Sequence, residues 1–169
     1  MATRISVVNQ PALGEKRLSS GVSLDGTVSA LTDRVLKDAS VLVADDDSLL
    51  LSTIADALTD AGASVTTAGS GAELIEQLAN EGPFDLVITD ISMPWMNGLQ
   101  AMHAIRTAGL GTPLIVMTAL PDERIPSQVR ALGANAVLLR KPFDLSQLIA
   151  AASPLLARRV SATNNRSRG

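Results

Sequence analysis

The sequence has no cysteine, one histidine and very few aromatic residues. Without cysteine, disulfide bonds, thiolate nucleophiles and Cys-ligated zinc sites cannot form, and one histidine is too few for the usual zinc and iron sites. Any metal ion bound by this chain must therefore have oxygen ligands, which favours magnesium or calcium.

A strong charge of one sign and long apolar runs are also absent. The 14 basic and 17 acidic side chains give a formal net charge of -3, so no overall positive field attracts nucleic acid. The beginning, MATRISVVNQPALGEK, lacks the apolar stretch of a signal peptide, and no run approaches the roughly eighteen apolar residues of a membrane span. We expect a cytoplasmic protein with no direct nucleic-acid or membrane partner.

The chain is instead rich in aliphatic residues, which alternate between two kinds of segment. It is 46% hydrophobic but only 2% aromatic, and an aliphatic core suits parallel strands covered by helices. From Ser40 onwards, short apolar runs alternate with longer amphipathic stretches, a pattern typical of repeated strand–helix units. The runs that predict strands are VLVA (41–44), SVTTA (64–68), DLVITD (85–90), PLIVMTA (113–119) and AVLL (136–139).

Helices are predicted between these runs and after the last one. They cover residues 48–61, 72–80, 98–108, 126–132 and 144 to about 158. Asp144 is the expected N-cap of the last helix, and Pro154 should kink it or end it near Ser153. Alternating strands and helices with right-handed crossovers predict a parallel sheet with helices on both faces and a binding crevice at the carboxyl ends of the strands.

The domain predicted from this pattern covers residues 39–159. Residues 1–38 are treated as an extension, with one possible short helix where Val28, Leu31 and Val35 have helical spacing. Residues 160–169 are polar and predicted to be disordered. Fewer than about twenty residues follow the last helix, too few for an output domain, so we expect a stand-alone domain that acts through protein contacts.

Four predicted strands end in side chains that can carry chemistry: Asp45-Asp46-Asp47, Asp90, Thr118 and Lys141. Carboxylates that share one crevice repel each other unless a cation joins them, so the cluster predicts magnesium. Asp90 is the best-placed nucleophile toward phosphorus, and would form an aspartyl phosphate. The ion, Thr118 and Lys141 would then neutralise the remaining phosphoryl oxygens.

Each of these residues also has an ordinary structural explanation. The aspartate triplet could cap the first helix, Asp90 could be a turn residue, Thr118 a strand residue and Lys141 a solvated charge. Their joint occurrence at the strand ends is what favours a site. His103, on the flank of the third predicted helix, is assigned no role.

The segments VLVADDD, LVITDISMPWMNGL, IVMTA and RKPF, in this order, closely resemble the motifs of response-regulator receiver domains over about residues 40–158. The resemblance implies a flavodoxin-like α/β fold with a doubly wound, five-stranded parallel sheet in the order 2-1-3-4-5. It implies that a sensor histidine kinase or a histidine phosphotransfer protein phosphorylates Asp90. The phosphorylated domain would signal by altered contacts with an unidentified output protein, with no enzymatic activity beyond self-catalysed phosphotransfer and dephosphorylation.

The resemblance also implies how magnesium is bound. Asp46 and Asp90 would bind Mg²⁺ directly together with the backbone carbonyl of Ser92, and Asp45 would support the ion through water. Asp47 is expected only to cap the first helix.

Thr118 and Lys141 would contact the phosphoryl group, and the Lys141–Pro142 bond is expected to be cis, as in similar domains. Such domains often carry an aromatic switch residue in strand five. This sequence offers only Val137 or Leu138 there, so coupling through an aromatic side chain is in doubt.

Two further departures concern the ends of strands four and five. The stretch from Gly133 to Lys141 is one residue longer than the common pattern, which predicts a bulge or an extended loop. Arg140 could then compete for the phosphate, although Lys141 is favoured because it directly precedes Pro142-Phe143. Pro126 predicts a long loop after strand four and a short fourth helix.

Two other functions remain open from the residues. One is a binding module with a receiver fold that is never phosphorylated. The other is a magnesium-dependent phosphohydrolase with Asp45 as its nucleophile, because Asp45 and Asp47 have the Asp-x-Asp spacing of such enzymes. The chain has no obvious cap insertion for the hydrolase substrate.

Overall fold

The computed structural model of the protein describes residues 36–94, 98–107 and 111–166. Within them, strands and helices alternate along the chain, as the sequence predicts. The elements are β1 (Ser40–Ala44), α1 (Ser48–Asp60), β2 (Ser64–Ala68), α2 (Gly71–Asn80), β3 (Leu86–Asp90), α3 (Gly98–Thr107), β4 (Leu114–Thr118), α4 (Ile125–Ala131), β5 (Ala136–Arg140) and α5 (Leu145–Arg166).

The strands form one five-stranded sheet in the order β2-β1-β3-β4-β5, and every neighbouring pair is parallel. The predicted fold class and strand order are therefore confirmed. The chain leaves β1 in one direction to form β2 and returns past β1 to form β3, so the order reverses between β1 and β3. In sheets of this kind, the crevice at the carboxyl ends of the strands beside the reversal is the usual binding site.

The hydrophobic core has two layers because strand side chains alternate between the two faces of the sheet. In β1, for example, Leu42 belongs to one layer and Val43 to the other. Helices α2, α3 and α4 cover the first layer with Leu74, Met102 and Val129, and α1 and α5 cover the second with Ile54, Leu58, Leu148 and Leu155. The strand residues of both layers are mostly aliphatic, so β1, β3 and β4 consist mainly of buried apolar residues.

Helix α1 begins and ends as the sequence predicts. The side chain of Asp47 accepts hydrogen bonds from the amides of Leu49 and Leu50 at 3.0 and 3.1 Å, which makes Asp47 the N-cap. Gly62, which follows the last turn, has a φ of 94°, a conformation that other residues adopt only with strain. The expected capping role of Asp47 is confirmed.

The end of α5 differs from the prediction. The helix does not stop near Ser153 but continues through Pro154 to Arg166, into residues that the sequence assigns to the polar tail. Pro154 is exposed, whereas Leu155 and Leu156 after it are buried in the second core layer. Burial of two leucines contributes about 3–6 kcal/mol, enough to offset the roughly 3 kcal/mol penalty of an interior proline. No helix in the described part of the chain is long and apolar enough to cross a bilayer.

The segment before β1 also belongs to the core. Leu36 is fully buried in the second layer, although the sequence places it in the N-terminal extension. A turn follows it, in which Asp38 donates its amide to the carbonyl of Gly62 at 2.9 Å. The short helix predicted around Val28, Leu31 and Val35 lies outside the described residues.

Strand β5 shows how the extra residue before Lys141 is accommodated. The strand pairs with β4 without interruption from Ala136 to Arg140, so these residues contain no bulge. A turn closed by a hydrogen bond from the Ala136 amide to the Gly133 carbonyl precedes them. Of the two predicted alternatives, the bulge is therefore wrong for these residues, and the longer loop stays a prediction.

Leu36→Ala is expected to lower the free energy of unfolding by about 2–5 kcal/mol, because it leaves a cavity in the second core layer. The measurement is urea unfolding of the full chain followed by circular dichroism. Leu49→Ala is the matched control, since Leu49 is 75% exposed and should change stability by less than about 0.5 kcal/mol. Equal effects of the two substitutions would contradict the placement of Leu36.

Candidate functional site

Four of the strands bring chemically active side chains to one edge of the sheet. Asp45 follows β1, Asp90 and Thr118 end β3 and β4, and Lys141 follows β5. The relative exposures of the Asp45, Asp90 and Thr118 residues are 0, 2 and 0%. The sheet is hydrogen-bonded up to this edge, since the Lys141 amide donates to the Thr118 carbonyl at 2.7 Å. These four residues, predicted from separate segments, therefore lie at one edge of the sheet, three of them buried and Lys141 partly exposed.

The ammonium group of Lys141 joins two of the carboxylates. Its Nζ atom donates to Oδ2 of Asp45 at 2.6 Å and lies 3.3 Å from Oδ1 of Asp90. The side chain of Lys141 is 18% exposed, so these pairs are shielded from most of the solvent. Burying an ionised carboxylate raises the free energy of the folded state unless an opposite charge pairs with it. Lys141 supplies that charge for both Asp45 and Asp90.

Backbone amides hold the two buried aspartates in fixed orientations. Oδ1 of Asp45 accepts from the Asp47 amide at 3.0 Å, and Oδ2 of Asp90 accepts from the Ser92 amide at 2.9 Å. Both oxygens of Asp45 thus have partners. Oδ1 of Asp90 accepts no hydrogen bond from the described residues, and the ammonium of Lys141 is the cation next to it.

The electrostatic environment shifts the pKa values of Asp90 and Lys141. Burial raises the pKa of Asp90, and the charge of Asp45 adds to this effect, against the opposing influence of Lys141 and the Ser92 amide. Burial alone would lower the pKa of Lys141, but its hydrogen bond to Asp45 and the charges of Asp90 and Asp45 raise it above its ordinary value. Lys141 is therefore held as a cation beside a carboxylate that would gain from further positive charge.

The aspartates fit a divalent cation. Asp45, Asp46 and Asp90 each have a carboxylate oxygen within 4.8 Å of the others, with Asp46 exposed and the other two buried. Three carboxylates beside one ammonium keep an excess of negative charge, and Oδ1 of Asp90 accepts no hydrogen bond from the described residues. Oxygen-only donors with this charge suit a hard ion such as magnesium.

The loop after β4 is attached to the site at Leu120. Its amide donates to Oγ1 of Thr118 at 3.0 Å, and its carbonyl accepts from the guanidinium of Arg140 at 2.8 Å. Arg140 therefore contacts the loop, while Lys141 contacts the aspartates. From the sequence, Arg140 was expected only as a competitor for phosphate, and its contact with Leu120 was not predicted.

The structure also describes Ser92, the Lys141–Pro142 bond and His103, which were noted in the sequence. Ser92 reaches the site through its amide, and the role of its carbonyl as a metal ligand stays a prediction. The Lys141–Pro142 bond is cis as expected, and Gly82–Pro83 is a second cis bond that the sequence did not predict. His103 is exposed on α3.

Solved structures with the same fold include a chemotaxis response regulator. CheY4 of Vibrio cholerae matches with a TM-score of 0.63 and 30% identity, covering 70% of this chain and 99% of that protein. The fold and the site thus define a doubly wound α/β domain with an acidic crevice, of the type found in that regulator.

Sequence comparison identifies the family of this α/β domain. The family model of the response regulator receiver domain matches residues 41–153. The response regulator MprA of Mycobacterium sp. (strain KMS) is 35% identical over 119 residues, covering 70% of this chain and 50% of MprA. The DNA-binding transcriptional regulator NtrC of Escherichia coli (strain K12) is 39% identical over 111 residues, covering 65% of this chain and 23% of NtrC. The chain belongs to the response regulator receiver domain family, and it spans half or less of these two relatives.

Asp90→Asn is expected to stabilise the metal-free protein at pH 7. Because the pKa of Asp90 is higher in the folded chain than its ordinary value of 3.8, its ionised form disfavours folding above the folded pKa, and this cost disappears below about pH 3.8. The urea midpoint of the variant in EDTA should therefore exceed that of the wild type at pH 7, with the gap closing as the pH falls.

Asp56→Asn is the control, since Asp56 is exposed on α1 and no such pH-dependent gain is expected. A lower midpoint for Asp90→Asn than for the wild type at pH 7 would show that the site favours the ionised carboxylate.

Proposed function

We propose that this domain accepts a phosphoryl group on Asp90 in a two-component phosphorelay. The observation that carries the proposal is the position of Asp90: buried, beside the ammonium of Lys141, and with one oxygen that accepts no hydrogen bond from the described residues. A buried carboxylate held beside a fixed cation is a competent nucleophile toward phosphorus.

The transfer is a displacement at phosphorus. Oδ1 of Asp90 attacks the phosphorus of the donor, the bond from phosphorus to the donor atom breaks, and the donor leaves with that electron pair. The Ser92 amide holds Oδ2 at 2.9 Å and so fixes the direction in which the carboxylate faces. Fixed orientation of the attacking group lowers the entropic part of the barrier.

Lys141 and Thr118 neutralise the transferred group in this proposal. The Nζ atom of Lys141 lies 3.3 Å from Oδ1 of Asp90, close enough to reach an oxygen of a phosphoryl group bonded there. Thr118 is fully buried at the end of the adjacent strand, and its hydroxyl accepts from the Leu120 amide, which leaves its own hydrogen to donate. Fixed positive charge and donors aimed at developing charge stabilise phosphoryl transfer.

Magnesium would be held by Asp46 and Asp90 with the Ser92 carbonyl, and Asp45 would act through water. The structure supports this division, because both oxygens of Asp45 already have partners in Lys141 and the Asp47 amide. When bound, the ion neutralises negative charge between the aspartates and the phosphoryl oxygens.

The donor in this proposal is the phosphohistidine of a sensor histidine kinase or of a histidine phosphotransfer protein. Family membership supports this partner, since receiver domains act with such kinases. The relative NtrC is a DNA-binding regulator, and the region it shares with this chain is 23% of its length. Output of this chain through altered protein contacts is part of the proposal.

The phosphohydrolase alternative is less well supported by the geometry. It needs Asp45 as the nucleophile, but Asp45 is fully buried and each of its oxygens has a partner. The unphosphorylated binding module needs no reactive site, and the convergence of the aspartates, Thr118 and Lys141 gives it no specific support.

Incubation with acetyl phosphate and Mg²⁺ is expected to add one phosphate mass to the wild type and none to Asp90→Asn. Asparagine keeps the size of the side chain but cannot form the acyl phosphate. The measurement is intact-protein mass spectrometry, with Asp56→Asn as an aspartate control that retains the label. A label that survives Asp90→Asn but is lost in Asp45→Asn would favour the hydrolase instead.

Mg²⁺ is expected to raise the urea midpoint of the wild type, since an ion that binds only the folded state stabilises it according to its concentration. Asp46→Asn should lose most of this response, because it removes the exposed carboxylate of the cluster. Asp47→Asn should keep it, because Asp47 caps α1 and lies outside the proposed ligands. Equal Mg²⁺ responses of both variants would contradict the assignment of the ligands.

A further inference from the structure

Leu120 is held at both ends of its backbone by side chains from two strands. The amide of Leu120 donates to the hydroxyl of Thr118 at 3.0 Å. The guanidinium of Arg140 donates to the carbonyl of Leu120 at 2.8 Å. The first contact comes from a residue of the phosphoacceptor site and the second from the edge strand β5. The position of Leu120 therefore depends on both strands.

The sheet register explains why Arg140 can reach this loop. Arg140 pairs with Thr118 across β4 and β5, so the two residues stand at the same level. Alternation along β5 puts Arg140 on the same face as Leu138, which packs on the layer that includes Ile125 and Val129 of α4. Arg140 thus emerges on the side of the sheet where the loop leading to α4 runs.

Leu120 itself lies next to the site, since its amide donates to the hydroxyl of Thr118. It follows Thr118 by two residues and is 45% exposed, and Leu49 is the other large apolar side chain exposed to this degree among the described residues. A side chain this exposed has little packing to hold it. Its placement then depends on its backbone, and hence on the bonds from Thr118 and Arg140.

We propose that Arg140 is a positioning residue that acts through Leu120 to set the lifetime of the phosphoryl group on Asp90; this inference rests on the proposed function. Hydrolysis requires a water oxygen to attack phosphorus, while the bond to the Asp90 oxygen breaks and its electron pair returns to the carboxylate. Inorganic phosphate leaves and the proton of the water passes to solvent. In this proposal, a leucine held beside Thr118 restricts the approach of that water.

Arg140 does this without touching the phosphoryl group. Lys141 already supplies the ammonium beside Asp90, and the guanidinium of Arg140 is directed to the Leu120 carbonyl. Loss of Arg140 should therefore affect the removal of phosphate more than its addition, which separates a positioning role from direct charge stabilisation.

The test uses the full chain labelled with acetyl phosphate and Mg²⁺, freed of the donor, and followed by intact-protein mass spectrometry. Arg140→Met should lose its phosphate about three- to tenfold faster than the wild type, as expected when one hydrogen bond that orders the loop is removed. The rate of labelling should change less than the rate of loss.

Three further variants make the test decisive. Arg130→Met removes an exposed arginine of α4 and should leave the lifetime as in the wild type. Leu120→Ala should shorten the lifetime, and adding Arg140→Met to it should produce little further change, because residues that act through one another are not additive.

An unchanged lifetime in Arg140→Met, or an equal effect of Arg140→Met with and without Leu120→Ala, would overturn the inference while leaving the proposed function intact. A wild type that takes up no phosphate would overturn both.

Discussion

The ion pairs of Lys141 with Asp45 and Asp90 are the interaction on which the rest of the site depends. Two buried carboxylates lie at neighbouring strand ends, where each would raise the free energy of the folded state without a cation. Lys141, which follows β5, compensates both negative charges, since its Nζ atom lies 2.6 Å from Oδ2 of Asp45 and 3.3 Å from Oδ1 of Asp90. The compensation is incomplete, because Asp46 adds a further negative charge and the pKa of Asp90 stays raised. The site is therefore arranged to gain from a divalent ion.

The architecture of the sheet makes this cluster possible. Asp45, Asp90 and Lys141 are far apart in sequence, and only a parallel order in which β3 and β4 lie between β1 and β5 brings their strand ends to one edge. An aliphatic core on both faces fixes the strands, and the backbone amides of Asp47 and Ser92 orient the carboxylates. The loop at Leu120 lies at the same edge of the sheet. Its hydrogen bond to Thr118 therefore connects the site with the exposed side chain of Leu120.

Most of the fold could be predicted from the sequence because its signals are local. Apolar runs, glycines after helices and the cap at Asp47 place every strand and most helix ends within one or two residues. The ends that were missed depend on tertiary packing. Leu36 is buried in a core layer shared with α1 and α5, and α5 passes Pro154 because the leucines after it are buried. At the site, residue types and order predicted the cluster, whereas the contact of Arg140 with Leu120 depends on sheet register and side-chain direction.

The central claim is that Asp90, and no other carboxylate of the cluster, forms the acyl phosphate. Borohydride reduction of the phosphorylated wild-type protein tests it directly, because the reagent converts a phosphorylated aspartate to homoserine and leaves free carboxylates unchanged. Peptide mass spectrometry should then find homoserine at position 90 alone. Homoserine at position 45 or 46 in place of 90 would contradict the account.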